Sequence, residues 1–291
     1  MFTRRCALAL CLAALVAPAK AEAQKIPVVA SFSIIGDFVR QVGGDRVSVT
    51  TIVGPDGDAH VYQPSPADGR NIARARLIFV NGLGFEGWLD RLIAAAKSKG
   101  EVFTLGNAIP ARNDEGSEDP HAWQDVANAK VYVEAIREAL TAADPEGAET
   151  YKANADIYLA KLDALDAEIL QAISALPKER RRVVSTHDAF GYFAARYGIE
   201  FIAPQGVSTE AEVSARDVAK IIDAVRAHKV GAVFVENVAD PRLAKRIASE
   251  TGARVGGVLY SDALSDPKGD GATYIDMMRH NERELAKALA P

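Results

Sequence analysis

The stretch PEGAETYKANADIYLAKLDALDAEILQAISAL, residues 145–176, divides this chain into two halves. Within it Ala155, Leu159, Leu162, Leu165, Ile169, Ile173 and Leu176 recur every three or four residues, which places them on one face of an α-helix. Pro145 suits a first helical turn, where its missing N–H costs nothing, and Pro177 marks a stop. At 1.5 Å per residue such a helix reaches roughly 45 Å, about the span of a domain. The pattern predicts a stiff connector over 145–177 lying along two lobes; an ordinary long core helix is the alternative.

On both sides of the connector, apolar β-rich runs alternate with amphipathic segments, the pattern of parallel sheets covered by helices. Strands are expected at 28–32, 48–53, 77–81 and 102–105, with helices at 34–42, 65–73 and 87–96. The second half repeats this with strands at 182–186, 200–203, 230–236 and 254–259 and helices at 190–197, 215–227, 241–250 and 273–288. The expected fold is α/β: two lobes, each a mainly parallel β-sheet flanked by helices, joined by one long α-helix. The expected divisions are a signal peptide over 1–23, an N-terminal lobe over 24–144, the connector over 145–177 and a C-terminal lobe over 178–291.

Arg4 and Arg5 precede an apolar run over 6–16, and Ala19, Ala21 and Ala23 supply A-x-A patterns, so the first residues read as a secretory signal. Cleavage is expected after Ala23, with Ala21 the rival. The run falls well short of the roughly 20 residues that span a bilayer core. Both cysteines, Cys6 and Cys11, lie inside it, so the expected mature chain has no thiol, which disfavours copper(I) and iron–sulfur chemistry. Leu10 is a poor neighbour for lipid attachment at Cys11, and the leader points to a Gram-negative periplasm. With 34 Lys+Arg against 39 Asp+Glu, a net charge of -5, the chain offers no general basic character for binding nucleic acid.

Three of the five histidines stand beside expected strand ends or turns: His60 in GDAHVYQPSP, His121 in DPHAW and His187 in THDAFGYF. Ligands bind at that rim in open α/β sheets. A lone loop histidine is commonly a surface or turn residue. Three in similar settings, from so small a pool, point to a site, because neutral imidazole is a common transition-metal ligand. Asp262, in YSDALSDPKGDGATY after the strand at 254–259, is the carboxylate candidate. His228 and His280 fall in expected helices and read as structural or surface residues. Asp188, Asp125 and Glu236 are candidate acceptors for the histidines' second ring N–H, and Trp123 and Tyr62 are candidate walls.

HVYQPSP, DPHAW, THDAFGYF and the Asp262 segment ending in GATYIDMMRHN occur in this order, with the long helix between the second and third. Together they resemble the metal-binding substrate-binding proteins of ABC transporters, which include zinc, manganese and iron capture proteins and streptococcal metal adhesins. The resemblance implies His60 and His121 as ligands from the N-terminal lobe, with His187 and Asp262 from the C-terminal lobe. It further implies capture of Zn2+ in the periplasm and delivery to an ABC permease in the inner membrane, by a monomer that catalyses nothing. Manganese and iron members usually carry glutamate at the third position, whereas histidine is commoner in zinc binders; this chain has His187. Three nitrogens and one oxygen suit tetrahedral zinc, while manganese prefers more oxygen and higher coordination. Manganese (Mn2+) or iron capture by the same site is the alternative.

Many zinc members insert a long histidine-rich loop before the second ligand, where this chain has only NDEGSED, residues 113–119. Any collecting role of that loop would fall to a partner such as a periplasmic metallochaperone. A zinc-dependent hydrolase is the remote alternative: four protein ligands would close the shell that a catalytic zinc keeps open for water, and no H-E-x-x-H helix is present. Because the histidines must lose protons to bind metal, affinity is expected to fall below roughly pH 6.5. Release is expected to involve local rearrangement of the Asp262 segment.

Overall fold

In the computed structural model of the chain, residues 25–114, 116–228 and 230–290 are described. The expected signal peptide, 1–23, lies outside them. β1 (Ile26–Phe32) is buried at every position except Pro27, as a strand covered on both faces must be. It pairs in parallel with β2 (Val47–Val53) and with β3 (Leu77–Val80), and β3 pairs in parallel with β4 (Glu101–Thr104). Parallel neighbours need crossovers. These are supplied by α1 (Ser33–Gly43), α2 (Pro66–Arg74) and α3 (Leu89–Ala96), giving the sheet order β2-β1-β3-β4.

A hairpin of β5 (Asn113–Asp114) and β6 (Ser117–Glu118) follows, within the stretch NDEGSED. Beyond it lies α4 (Val126–Ala143), then α5 (Ala148–Ser174). The second lobe holds β7 (Arg182–Val184), α6 (Gly191–Tyr197), β8 (Glu200–Ile202), α7 (Ala215–His228), β9 (Ala232–Glu236), α8 (Pro241–Thr251), β10 (Arg254–Leu259) and α9 (Tyr274–Leu289). Its sheet runs β10-β9-β7-β8, again all parallel. The result is two α/β lobes linked by a long helix.

α5 packs on α1 and α4 from the first lobe and on α6 and α9 from the second. Its buried face carries Tyr151, Ala155, Tyr158, Leu162, Leu165, Ile169 and Ile173. With 27 residues it spans about 40 Å. The connector differs from expectation at its start, where Pro145–Gly147 form a 3-10 turn rather than the first α-turn. Asp144 explains the tighter path: its Oδ2 accepts from Arg46 Nε at 2.7 Å and from the Tyr151 hydroxyl at 2.7 Å. A Cβ on Gly147 would lie 2.4 Å from Arg46 Nε and 2.5 Å from Asp144 Oδ2, so a side chain there would displace this pair.

Other contacts brace the lobes. On α9, the Tyr274 N–H donates to Asp37 Oδ2 of α1 at 2.9 Å, and its hydroxyl donates to the Trp123 carbonyl at 2.7 Å. Arg196 of α6 bonds Asp166 of α5 and lies 3.1 Å from Asp125, the N-cap of α4. One apolar cluster runs continuously from β1 and α1 through α4 and α5 to Phe193, Phe234 and α9. Leu165, fully buried within it, tests this bracing. Leu165→Ala is expected to lower unfolding stability by about 2–5 kcal/mol, the cost of a buried leucine truncation that leaves a cavity, as read by chemical denaturation.

Candidate metal centre

The parallel sheets carry His60, His187 and Asp262 on the loops that follow their strands, and the β5–β6 hairpin leads into His121. His60 follows β2, and its backbone N–H donates to Asp58 Oδ1 at 2.9 Å. Trp88 Nε1 donates to the Ala59 carbonyl at 2.8 Å, fixing the turn from the other side. His121 follows the β5–β6 hairpin, and its backbone N–H donates to Asp119 Oδ1 at 3.0 Å. In the second lobe His187 lies beyond β7 and Asp262 beyond β10, with β9 between them in the sheet. Glu236, the last residue of β9, therefore sits beside His187.

Four ligand-type atoms, one from each of His60, His121, His187 and Asp262, all lie within 4.8 Å of one another. His121 Nε2 is 3.3 Å from both His60 Nε2 and His187 Nε2. Asp262 Oδ2 is 3.1 Å from His187 Nε2 and 3.4 Å from His60 Nε2, while its Oδ1 is 3.4 Å from His121 Nε2. His121, His187 and Asp262 have no exposed surface and His60 only 6%. Phe85 closes the apolar side, edge-on to His60 at 4.7 Å. Among the described residues no backbone or hydroxyl donor serves either Asp262 oxygen; both look onto imidazole nitrogens. A buried carboxylate in that position is costly without a cation close by.

The far side of each of two imidazoles is also held. Asp119 Oδ1 accepts from His121 Nδ1 at 2.8 Å. Glu236 Oε2 lies 2.6 Å from His187 Nδ1, and its Oε1 accepts from Thr186 N, Thr186 Oγ1 and His187 N at 2.7, 2.6 and 3.0 Å. Carboxylates of this kind fix the ring's orientation and leave Nε2 free to bind. Of the three acceptors expected from the sequence, Glu236 occupies the role, whereas Asp125 instead caps α4 and faces Arg196. Asp188 lines a surface cavity with Gln205 and Lys220. Sequence reasoning misses Asp119, although an aspartate two residues before the histidine is a recognisable turn signal. Trp123 flanks His121 at 5.4 Å and donates to the Ser261 carbonyl at 2.9 Å. Tyr62 turns away, packing against Trp88 and donating to Asp68. His280 lies outside the cluster, its Nε2 2.8 Å from the Val258 carbonyl oxygen.

Charge within the centre is strongly coupled. Burial would push the His187 imidazole down, but Glu236 and Asp262 together outweigh it and hold the ring well above the usual histidine value. Asp262 is the counterpart: burial would raise it, yet His187 and His121 hold its carboxyl well below the usual range. Burial lowers His121 despite Asp262 and Asp119. Without metal, Glu236 and Asp262 thus favour a proton on His187, which offsets part of the buried negative charge.

The chain is similar to known proteins over most of its length. Residues 28–288 match the family described as ZnuA, zinc-uptake complex component A, periplasmic. The chain belongs to this family. The manganese-binding lipoprotein MntA of Halalkalibacterium halodurans is 36% identical, with 92% of this chain and 90% of that protein covered. The iron-binding protein YfeA of Yersinia pestis is 37% identical, covering 92% and 87%. The periplasmic zinc binding protein TroA from Treponema pallidum superposes with a TM-score of 0.88 at 31% identity, covering 92% of this chain and all of that one. As a family member the protein is a periplasmic, non-catalytic substrate-binding component that captures a divalent metal for an inner-membrane ABC permease.

Two outcomes follow from the outer carboxylates and the trapped proton. Asp119→Asn and Glu236→Gln are each expected to weaken metal affinity about 10–100-fold, as measured by competition with a fluorescent chelator. The second concerns pH. Metal must displace the proton from His187, whose folded pKa is raised, so affinity should keep rising as pH increases above about 6.5. The fall on acidification thus begins higher than an ordinary histidine would place it. Calorimetry in buffers of different ionisation enthalpy, expected to show net proton release near neutrality, checks this.

Proposed function

We propose that Nε2 of His60, His121 and His187 and the Asp262 carboxylate hold one divalent ion, and that the cargo carried in the cell is manganese(II), or iron(II) in the same place. The observation that carries this reading is the orientation of Asp262, whose two bare oxygens both face the imidazoles. A carboxylate used through both oxygens gives a five-donor shell. Manganese and iron accept such a shell more readily than a closed zinc tetrahedron does. The manganese and iron relatives, similar over nine-tenths of the chain, support the same reading.

Zinc is the second reading, favoured by the spacing of the nitrogens. Ligands about 2.0–2.1 Å from a tetrahedral zinc stand about 3.3–3.4 Å apart, and the two His–His separations here are 3.3 Å. Zinc also outranks manganese in intrinsic affinity for most nitrogen and oxygen sites. Tighter binding in the test tube therefore does not identify the cargo; availability in the periplasm does. The lobes are taken as 24–144 and 178–291, with 145–177 as the connector, a division supported by the all-parallel sheet on each side of α5.

The test is elemental analysis of protein isolated from its own periplasm under trace amounts of manganese, iron and zinc, beside a His187→Ala variant. One manganese or iron per chain is the expected result. One zinc per chain establishes the second reading, and no stoichiometric metal removes the centre itself. His187→Ala is expected to weaken binding more than ~100-fold, beyond the cost of losing an outer partner.

A further inference from the structure

Residues 203–214 join β8 to α7 in the second lobe. Near its start this loop is tied to a proposed ligand: His187 and Gln205 form a parallel bridge, and the Asp188 N–H donates to the Gln205 and Gly206 carbonyls at 3.1 and 3.3 Å. Gln205 Nε2 donates to the Ala211 carbonyl at 2.6 Å, folding the loop back on itself. Between these anchors the half-buried Thr209 reaches across the cleft, where its hydroxyl donates to Asp58 Oδ2 of the first lobe at 2.7 Å. The other oxygen of the same carboxylate accepts from the His60 N–H at 2.9 Å.

A short chain of links thus runs from His187 in one lobe to His60 in the other without passing through the metal. We propose that the Thr209–Asp58 hydrogen bond is a latch that holds this loop closed against the His60 turn and sets the rate at which captured metal leaves. Asp58 is a positioning residue: it fixes the backbone of His60 with one oxygen and the opposite lobe with the other. The location fits the role. A cavity of about 490 Å³ opens beside His60 between Ser117 and Glu118 of the hairpin and Val207, Ser208 and Glu210 of the loop. His60 is the most exposed of the four cluster residues, so this cavity is where solvent comes nearest to the centre. The loop forms one wall of it, and opening the latch widens the way out.

A hydrogen bond to a charged acceptor contributes roughly a tenfold or greater factor to an equilibrium. Because the latch touches no metal and must open for metal to leave, its loss should appear in the dissociation rate. Thr209→Val removes the hydroxyl and keeps the shape, while Thr209→Ser keeps the hydroxyl. Metal-loaded full chain is mixed with excess EDTA in a stopped-flow instrument, and hydrogen exchange is followed in the metal-free protein. Thr209→Val is expected to release metal about tenfold faster, with unchanged stoichiometry, while Thr209→Ser releases at the parent rate. Amides at 206–211 and around His60 should exchange faster in Thr209→Val alone.

Equal release rates for Thr209→Val and parent would overturn the latch. So would faster release shared by Thr209→Ser, which would mark a packing effect. The inference rests on metal capture by the four residues, and the two fail differently. A parent protein that takes up no metal sinks the capture reading, while unchanged exchange at 206–211 in Thr209→Val sinks the clasp whatever the metal.

Discussion

Asp262 is a carboxylate with no exposed surface, facing three imidazole nitrogens and served by no backbone or hydroxyl donor among the described residues. Stripping water from a carboxylate costs several kcal/mol unless positive charge is near, so this group dictates what the rest of the centre must do. In the metal-free protein Glu236 and Asp262 favour the charged form of the His187 imidazole, the nearest source of compensating charge. A divalent cation seated among the four groups would supply the positive charge that the buried carboxylate requires. Asp119 and Glu236 complete the balance by supplying negative charge at the outer ring nitrogens.

The supports of Asp262 come from both lobes. Its strand belongs to the second sheet, but the adjoining loop is gripped from the first. Trp123 Nε1 and Gln124 Nε2 donate to the Ser261 carbonyl at 2.9 and 2.8 Å. The Ser33 hydroxyl oxygen accepts from Leu264 N at 2.9 Å, and Asp56 N donates to the Leu264 carbonyl at 2.9 Å. The segment that brings the carboxylate to the metal is thus a shared part of the interface between the lobes. Its position reports on contacts from either side.

The two lobes are legible in the amino-acid sequence because strand and helix periods differ, and because the 3–4 spacing around Leu162, Leu165 and Ile169 has no other stable use. The four members of the cluster are legible because their motifs are local and ordered. α4 is harder to read, although Val126, Ala129, Tyr132, Val133, Ile136, Ala139 and Leu140 form a helical stripe, all of it buried. Alanine at several positions weakens the hydrophobic contrast that makes such a stripe conspicuous. Asp119 is masked by its setting: it ends the acidic run NDEGSED, where one carboxylate looks like the next. Only folding separates it from its solvated neighbours by burying it against His121. The Thr209–Asp58 contact spans 151 residues, and neither local pattern nor motif carries information about such a pairing.

The helical brace has a consequence for the membrane partner. α5 lies along both lobes, and Tyr274 and Arg196 pin the second lobe to elements of the first. Wide hinge opening would break these contacts together, so the brace favours loaded and empty forms of similar outline. A permease cannot then sort them by gross shape, as it could for a binding protein that snaps shut. It must sense a few ångströms of loop position at the mouth of the cleft, or the change in charge there. Discrimination between full and empty carriers would then become a matter of local surface chemistry.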